Sequence, residues 1–155
     1  MSKSTFVYVT FIRTTAEKLW AALTTPAFME KYWFEMQCEC DFKAGSPWKL
    51  MFKDGRLADS GEIVESDPPR RLVIKWRNEW MAEMKEEGFS LCTMEIEPVK
   101  DVSAPAVKLS ITHSNERPES KFINAVSGGW PQILSNLKSL LETGEVAFVP
   151  AKKAR

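Results

Sequence analysis

Apolar and polar residues follow a strand-like pattern at the start of the chain and then change to a helical period. Residues 5–13, TFVYVTFIR, are rich in β-branched and aromatic side chains and predict a strand. Two short helices are predicted next: AEKLWAAL, with Thr14 and Glu17 as a capping box, and PAFMEKYW, which begins at Pro26. The chain therefore opens with a strand and a helical pair.

From residue 35 to residue 114 the pattern is that of strands joined by turns. Asp54–Gly55 and the DPPR segment have turn composition. The predicted strands are EMQCECDF, SPWKLMF, ADSGEIVES, RLVIKW, FSLCTMEIEP and AVKLSITHS. No helices lie between them to carry parallel crossovers, so an antiparallel meander is expected.

The C-terminal segment SGGWPQILSNLKSLLE lies within an apolar stripe of helical period that runs from Phe122 to Leu141. Each interior glycine costs about 1 kcal/mol and an interior proline about 3 kcal/mol relative to alanine, which burial of the stripe can offset. We predict one long helix, bent near Pro131, whose glycines clear space beside Trp130. The alternative is a break between two packed helices, with Ser127 capping the second.

This order of elements predicts an α+β fold of the helix-grip type. A curved antiparallel sheet of six to seven strands would wrap a long C-terminal helix, with two short helices after the first strand. The 155 residues suffice for one core, so we expect a single domain over 1–145 and a flexible basic tail over 146–155.

Composition and charge narrow the functional classes. Lys plus Arg and Asp plus Glu each number 21, so a net charge of zero favours neither nucleic acid nor an anionic surface as partner. No stretch approaches the roughly 20 apolar residues of a membrane span, so no membrane insertion is expected. Three cysteines and an N-terminus without a signal-peptide pattern favour the cytoplasm.

Four motifs in order and spacing resemble a known family: TTAEKLWAALTTPAFMEKYW, GEIVESDPPRRLVIKW, LSITHS and GGWPQILSNLKSLLETGE. They resemble the activator-of-Hsp90-ATPase homologue 1-like (AHSA1-like) family of the START-like, or SRPBCC, superfamily, which shares the Bet v 1-like helix-grip fold. The resemblance spans about residues 5–145. It implies a deep, mostly apolar cavity between sheet and long helix, which across the superfamily holds hydrophobic molecules.

Periodicity selects candidate residues for such a cavity. Alternate strand positions and the helical stripe would point inward, and core packing is the alternative for each side chain. Trp33, Trp76 and Trp130 lead, because a large ring with a polar N–H suits a pocket mouth. The other inward candidates are Trp48, Leu50, Leu72, Ile74, Ile111, His113, Phe122 and Val126.

The connection RNEWMAEMKEEG, residues 77–88, is a further candidate. Trp80 and Met84 are four residues apart with Met81 beside them, which is typical of a turn or two of amphipathic helix. Such a patch suits a lid over the cavity, which adds Trp80 and Met84 to the ligand-binding candidates, or a surface for a protein partner. The alternative is a long hairpin that packs on the sheet edge.

Residues for catalysis or metal binding are sparse. His113 is the only histidine, and we interpret it as a hydrogen-bonded core residue rather than a general base. Cys38 and Cys40 lack the C-x-x-C spacing of structural zinc sites, and Cys92 is distant in sequence. No phosphate-binding glycine motif is present. We therefore predict no catalytic residue, no metal and no cofactor.

The function expected from these features is noncatalytic binding or transport of a small hydrophobic molecule. One alternative is an Hsp90-linked, co-chaperone-like partner protein. The co-chaperones that gave the family its name carry an additional domain for which this chain leaves no room, so we do not expect Hsp90 activation to transfer. The other alternative is a polyketide cyclase- or aromatase-like enzyme, in which His113 or an inward carboxylate moves protons. A homodimer is also left open.

Overall fold

The elements follow the predicted order in the computed structural model, which describes residues 3–149. The last six residues of the expected tail, 150–155, lie outside this range. The elements are β1 Ser4–Ile12, α1 Ala16–Thr24, α2 Pro26–Tyr32, β2 Gln37–Glu39, β3 Pro47–Met51, β4 Leu57–Asp67, β5 Arg71–Asn78, α3 Ala82–Lys85, β6 Ser90–Pro98, β7 Val107–Asn115 and α4 Lys121–Thr143.

Seven strands form a single sheet in the order β1-β7-β6-β5-β4-β3-β2, and all neighbours are antiparallel. The pairing of β1 with β7 joins the two ends of the strand sequence, from Ser4 opposite Asn115 to Ile12 opposite Val107. Because β1 and β2 lie at opposite edges, α1 and α2 carry the chain from one side of the sheet to the other. The predicted α+β helix-grip architecture is confirmed.

The caps of the first two helices differ in one respect from the prediction. The N-cap of α1 is Thr15, whose Oγ1 accepts a hydrogen bond from the Lys18 N–H at 3.1 Å. The predicted capping box of Thr14 and Glu17 is therefore wrong by one residue. The third helical position is Lys18, whose side chain has no acceptor for the Thr15 N–H, so no capping box forms. Pro26 begins α2, as predicted.

Gly61 brings two tryptophans together. It lies in β4 between Trp48 of β3 and Trp76 of β5, opposite both in the ladder. A Cβ at Gly61 would lie 1.6 Å from the Lys75 carbonyl oxygen, so only glycine allows this strand approach. The rings of Trp48 and Trp76 meet across the gap, with centroids 4.4 Å apart.

One helix, α4, runs through both glycines and Pro131. Ser120 caps it by accepting from the Ile123 N–H at 3.1 Å, and Gly144 ends it with φ of 89°. The alternative in which Ser127 caps a second helix is wrong, since the Ser127 Oγ donates to the Asn124 carbonyl at 2.6 Å. The predicted single helix is confirmed.

The far end of α4 is held by a buried amide. Asn136 Nδ2 donates to the Tyr32 carbonyl at 3.4 Å, and its Oδ1 accepts from the Phe148 N–H at 2.7 Å. Asn136 of α4 is therefore hydrogen-bonded both to α2 and to residues 146–149, the described part of the expected tail. Across residues 3–149, no helix combines the length and apolarity needed to cross a membrane.

Candidate ligand-binding cavity

A cavity of about 170 Å³ separates the first half of α4 from one end of the sheet. Its sheet side is formed where β3 and β5 end and β4 begins, while α4 lies closest to β1 and β7 on the other side. Ala125 is exposed and also lines the cavity, so the cavity reaches the surface. The lining residues are Trp33, Met36, Leu50, Asp59, Trp76, Asn78, Met84, Phe122, Ala125, Val126, Gly129, Trp130 and Ile133.

The structure brings seven of the sequence-predicted residues to this wall: Trp33, Leu50, Trp76, Met84, Phe122, Val126 and Trp130. Sequence reasoning placed Gly129 beside Trp130 without naming it as a lining residue, and it missed Met36, Asp59, Asn78, Ala125 and Ile133. Two signals were available for some of them. Asn78 lies two residues beyond Trp76 on the same strand face, and Ala125, Gly129 and Ile133 are four residues apart along the helix.

Five other candidates face inward but belong to the packed core rather than the cavity wall: Trp48, Leu72, Ile74, Ile111 and His113. Each is at most 2% exposed. Leu72 and Ile74 precede Trp76 along β5 and lie away from its cavity end, and Ile111 lies on β7, where α4 packs close to the sheet. Sharing a strand face was not enough to predict a shared cavity.

Trp80 does not line the cavity either. The turn before α3 carries its side chain outward, where it is 53% exposed and its ring meets Phe52 edge-on at 5.3 Å between centroids. Trp80 therefore lies outside the cavity wall, and its contact with a ligand as part of a lid stays a prediction. Met84, four residues on, does reach the wall, so only one side of the 77–88 connection faces inward.

Four tryptophans form a continuous cluster behind and around the cavity. Trp33 lies 5.3 Å from Trp130 and 5.9 Å from Trp76 between ring centroids, and Trp76 lies 5.7 Å from Trp130. Trp48 extends the cluster away from the cavity through its contact with Trp76. The planes of the Trp33 and Trp130 rings meet at 71°, and such edge-to-face contacts fix the orientation of the rings.

His113 holds Trp130 in place. Its Nδ1 accepts from the Trp130 indole N–H at 3.1 Å, and its Nε2 lies 2.8 Å from the Ser90 Oγ, which donates to the Trp76 carbonyl at 2.9 Å. The imidazole is therefore neutral, with its proton on Nε2. Burial lowers the pKa of His113 to about 3. Both nitrogens are occupied away from the cavity, so the interpretation as a core residue is confirmed.

Polar groups gather at one end of the cavity. Burial raises the pKa of the Asp59 carboxyl to about 7, and the nearby indole N–H of Trp76 partly opposes this rise. Trp76 Nε1 is buried, and within residues 3–149 no acceptor, the Asp59 carboxyl included, lies at normal hydrogen-bond geometry from it. Asn78 lies opposite Asp59 in the ladder, and its Oδ1 accepts from the Met81 N–H at 2.9 Å.

The 77–88 connection is anchored on both sides of Met84. Glu79 accepts from the Ser60 Oγ at 2.7 Å and from the Arg77 Nε at 2.6 Å, and these bonds lower the pKa of Glu79 against the effect of its burial. At the other end, Glu87 accepts from the Lys121 N–H at 2.8 Å, at the first turn of α4. The connection is a strap over the cavity that contains one turn of helix, α3.

The cysteines are free thiols without a metal-binding arrangement. Cys38 and Cys92 are buried, and burial raises the pKa of both thiols, that of Cys38 to about 12. Cys40 accepts from the Phe42 N–H through sulfur at 3.2 Å. Residues 3–149 contain no group of three or more His, Cys, Asp or Glu side chains placed to hold a metal ion.

A seven-stranded antiparallel sheet that grips a long C-terminal helix, with a cavity between them, defines a helix-grip domain. Within this class the assignment is specific. Residues 13–142 match the profile of the family described as activator of Hsp90 ATPase homolog 1-like protein, and the chain belongs to this family.

Solved structures share the fold at low sequence identity. A protein from Mesorhizobium loti superposes with a TM-score of 0.75 at 23% identity, covering 89% of this chain and 96% of its own. An HSP90 activator from Plasmodium falciparum gives 0.70 at 24% identity, covering 88% and 95%. The Aha1 dimer from Colwellia psychrerythraea gives 0.72 at 20% identity, covering 91% and 98%. A comparison with curated proteins gave no match.

Proposed function

We propose that the protein binds a small, mostly apolar molecule in the cavity between α4 and the sheet, without transforming it. The observation that carries this proposal is a surface-reaching cavity whose wall includes the rings of Trp33, Trp76 and Trp130. Aromatic rings held rigidly by their neighbours supply apolar contact area with little loss of side-chain entropy on binding.

The cavity volume limits the ligand. About 170 Å³ is close to the roughly 150 Å³ of an apolar protein cavity that binds benzene, and smaller than the roughly 300 to 1,000 Å³ of pockets for drug-sized molecules. A single ring or a short alkyl chain fits the structure as it stands. A lipid or a multi-ring molecule requires the strap over residues 77–88 to move.

The experiment is a titration of the purified protein with toluene, followed by tryptophan fluorescence and thermal denaturation. Because three of the lining rings are tryptophans, occupation of the cavity changes their emission, and binding to the native state raises Tm. Native mass spectrometry of freshly purified protein, with extraction of copurified molecules, identifies the natural ligand. Absence of both a fluorescence response and a Tm shift at saturating toluene would contradict the proposal.

A second candidate function is a protein–protein contact with an Hsp90 chaperone through the 77–88 connection. Family membership favours it, as does the exposure of Trp80 and Met81 beside Phe52 on one side of this connection. The test is binding of an Hsp90 chaperone, measured by calorimetry, with its ATPase rate followed in parallel. Binding that is lost in Trp80→Ala supports this function, and absence of binding by the parent protein excludes it.

Two further proposals concern assembly and location. A homodimer is supported by the dimeric state in the name of the similar Colwellia psychrerythraea structure, and light scattering during size-exclusion chromatography tests it. A mass equal to one chain, 17.7 kDa, would exclude a stable dimer.

A cytoplasmic location is supported by the three free thiols Cys38, Cys40 and Cys92, which suit a reducing compartment. Fluorescence microscopy of a tagged chain tests it.

A further inference from the structure

We infer that two copies of the chain pair along β1, antiparallel about a two-fold axis at Val7, so that their two sheets become one continuous sheet. This inference rests on the homodimer proposed above, because it names the surface through which the two copies meet. Its basis is an edge strand with free backbone groups, apolar side chains on both faces and no charged residue.

β1 is an edge strand without the usual protection. Within residues 3–149, β7 is its only strand neighbour. Natural edge strands are commonly short or carry charged residues or proline, because an unprotected edge pairs with other chains. The opposite edge follows this rule, since β2 has three residues and its exposed side chains are Gln37 and Glu39. β1 has nine residues with neither a charge nor a proline, so it is the edge at which pairing is expected.

Contacts at the two ends of β1 show which backbone groups point to its open edge. In an antiparallel pair, the N–H and C=O groups of alternate residues point to opposite sides of the strand. The Phe11 carbonyl accepts from Lys138 Nζ on α4 at 2.5 Å, whereas the Ser4 N–H donates to the Arg117 carbonyl, just beyond β7, at 3.1 Å. The odd-numbered residues of β1 therefore point their backbone groups away from β7.

Thr5, Val7 and Val9 leave their outward N–H and C=O groups free. No hydrogen bond from another element within residues 3–149 reaches these groups, whereas farther along the edge the Arg13 N–H donates to Glu142 Oε2 at 2.9 Å. The free set is thus centred on Val7. A second β1 in antiparallel orientation, with Val7 opposite Val7 and Thr5 opposite Val9, pairs all the free groups of these residues in both copies. The edge is therefore its own complement.

The side chains on both faces of β1 favour the same pairing. On the outer face, Val7, Val9 and Phe11 are 58%, 43% and 55% exposed, so an apolar stripe would continue across the axis. On the inner face, Phe6 and Tyr8 are half-buried and stacked at 6.3 Å between ring centroids. Phe6 would lie opposite Tyr8 of the second copy, which brings four rings together. A β1–β2 contact instead joins unlike surfaces, offers three residues and does not close.

The test measures the dimer dissociation constant by analytical ultracentrifugation. We expect Val7→Lys to raise it about tenfold or more, because two like charges would lie directly opposite each other at the axis. Val64→Lys is the matched control, since Val64 is an exposed valine of β4, at 51%, and its dissociation constant should equal that of the parent protein. Val7→Pro is a second variant, because it removes an N–H that β7 does not use. Circular dichroism verifies that each variant is folded.

Cross-linking tests the register. Under mild oxidation Val7→Cys should form a disulfide-linked dimer, because residues directly opposite in such a pair have Cα atoms about 5.5 Å apart, within the span of a disulfide. Val9→Cys would lie opposite Thr5 and should not cross-link, and the parent protein gives the background of its own three thiols. Equal cross-linking by Val7→Cys and Val9→Cys would overturn the proposed axis.

Hydrogen exchange identifies what covers the edge. The N–H groups of Thr5, Val7 and Val9 should become more protected as protein concentration rises. Protection that is independent of concentration would overturn the inference in favour of a segment of the same chain. A parent protein with the mass of one chain, 17.7 kDa, at every concentration would refute both the inference and the homodimer. A dimer unaffected by Val7→Lys and Val7→Pro would overturn the inference and leave the homodimer intact.

Discussion

The two glycines inside α4 allow helix stability and cavity shape to be tested separately. Gly128 is exposed, whereas Gly129 is half-buried and lines the cavity. A Cβ built on either glycine meets no heavy atom within 4 Å, so neither alanine overpacks the core. Because an interior glycine costs about 1 kcal/mol relative to alanine, Gly128→Ala and Gly129→Ala should each stabilise the protein by up to about 1 kcal/mol.

The two variants should differ in ligand binding. For a chain of this size, about 1 kcal/mol corresponds to a rise in Tm of about 2 to 4 °C, which both variants should show. Only Gly129→Ala adds a methyl group to the wall of a cavity with a volume of about 170 Å³. If the ligand fills this space, the resulting overpacking costs about 1 kcal/mol or more in binding, about a fivefold loss of affinity.

Thermal melts and toluene titrations of the parent protein and both variants measure these quantities together. Gly128→Ala serves as the control, with increased stability and unchanged binding. If Gly129→Ala binds toluene as tightly as Gly128→Ala, the glycine is not a feature of the binding site. If either alanine lowers Tm, the open space beside that glycine is absent and the helix packs more closely than described.

Three further predictions test other parts of the structure. Gly61→Ala should lower the free energy of unfolding by at least about 2 kcal/mol, measured by urea denaturation, because its Cβ would overlap the Lys75 carbonyl; an unchanged midpoint would contradict this. Asp59 has a raised folded pKa of about 7, so its contribution to stability is fully present below the unfolded value of 3.8 and is lost as pH rises to 7. Asp59→Asn removes this loss, so between pH 3.8 and 7 the slope of the unfolding free energy against pH should be more positive in the variant than in the parent protein, by up to about 1.4 kcal/mol per pH unit. Parallel plots of unfolding free energy against pH for the two proteins would refute the raised pKa. Chelation should leave Tm unchanged and elemental analysis should find no stoichiometric zinc, since C-x-C spacing with a distant histidine is a poor tetrahedral set; equimolar zinc would overturn this.

The fold could be predicted because each of its elements carries a local signal. Strand periodicity, the Asp54–Gly55 turn and the uninterrupted helical phase from Phe122 to Leu141 all survive in the structure. The position of the first cap could not be fixed, because Thr14 and Thr15 are adjacent and both suit an N-cap. The extended backbone of Thr15 and the hydrogen bond that its Oγ1 accepts from the Lys18 N–H identify it as the cap.

The cavity was predictable only in part, because periodicity gives the face of a side chain and not its distance from a gap. Ile74 and Trp76 share a face, yet only Trp76 reaches the cavity. Asp59 was missed because the inward face of β4 carries an aspartate at position 59 and a glycine at position 61. These residues give no apolar alternation by which the face could be recognised. The outward orientation of Trp80 was not predictable, because one helical turn leaves the orientation of its flanking residues undetermined.

The pairing of β1 with β7 has a consequence for how the chain is made. β1 ends at residue 12, while its partner strand is complete only at residue 115. At about 5 to 20 residues per second, a ribosome needs roughly 5 to 20 s to synthesise the intervening chain. Throughout this time the backbone of β1 lacks the strand with which it forms hydrogen bonds in the native sheet. Closing a contact between segments so far apart in sequence is slow, so the edge of the sheet formed by β1 is expected to be completed late in folding.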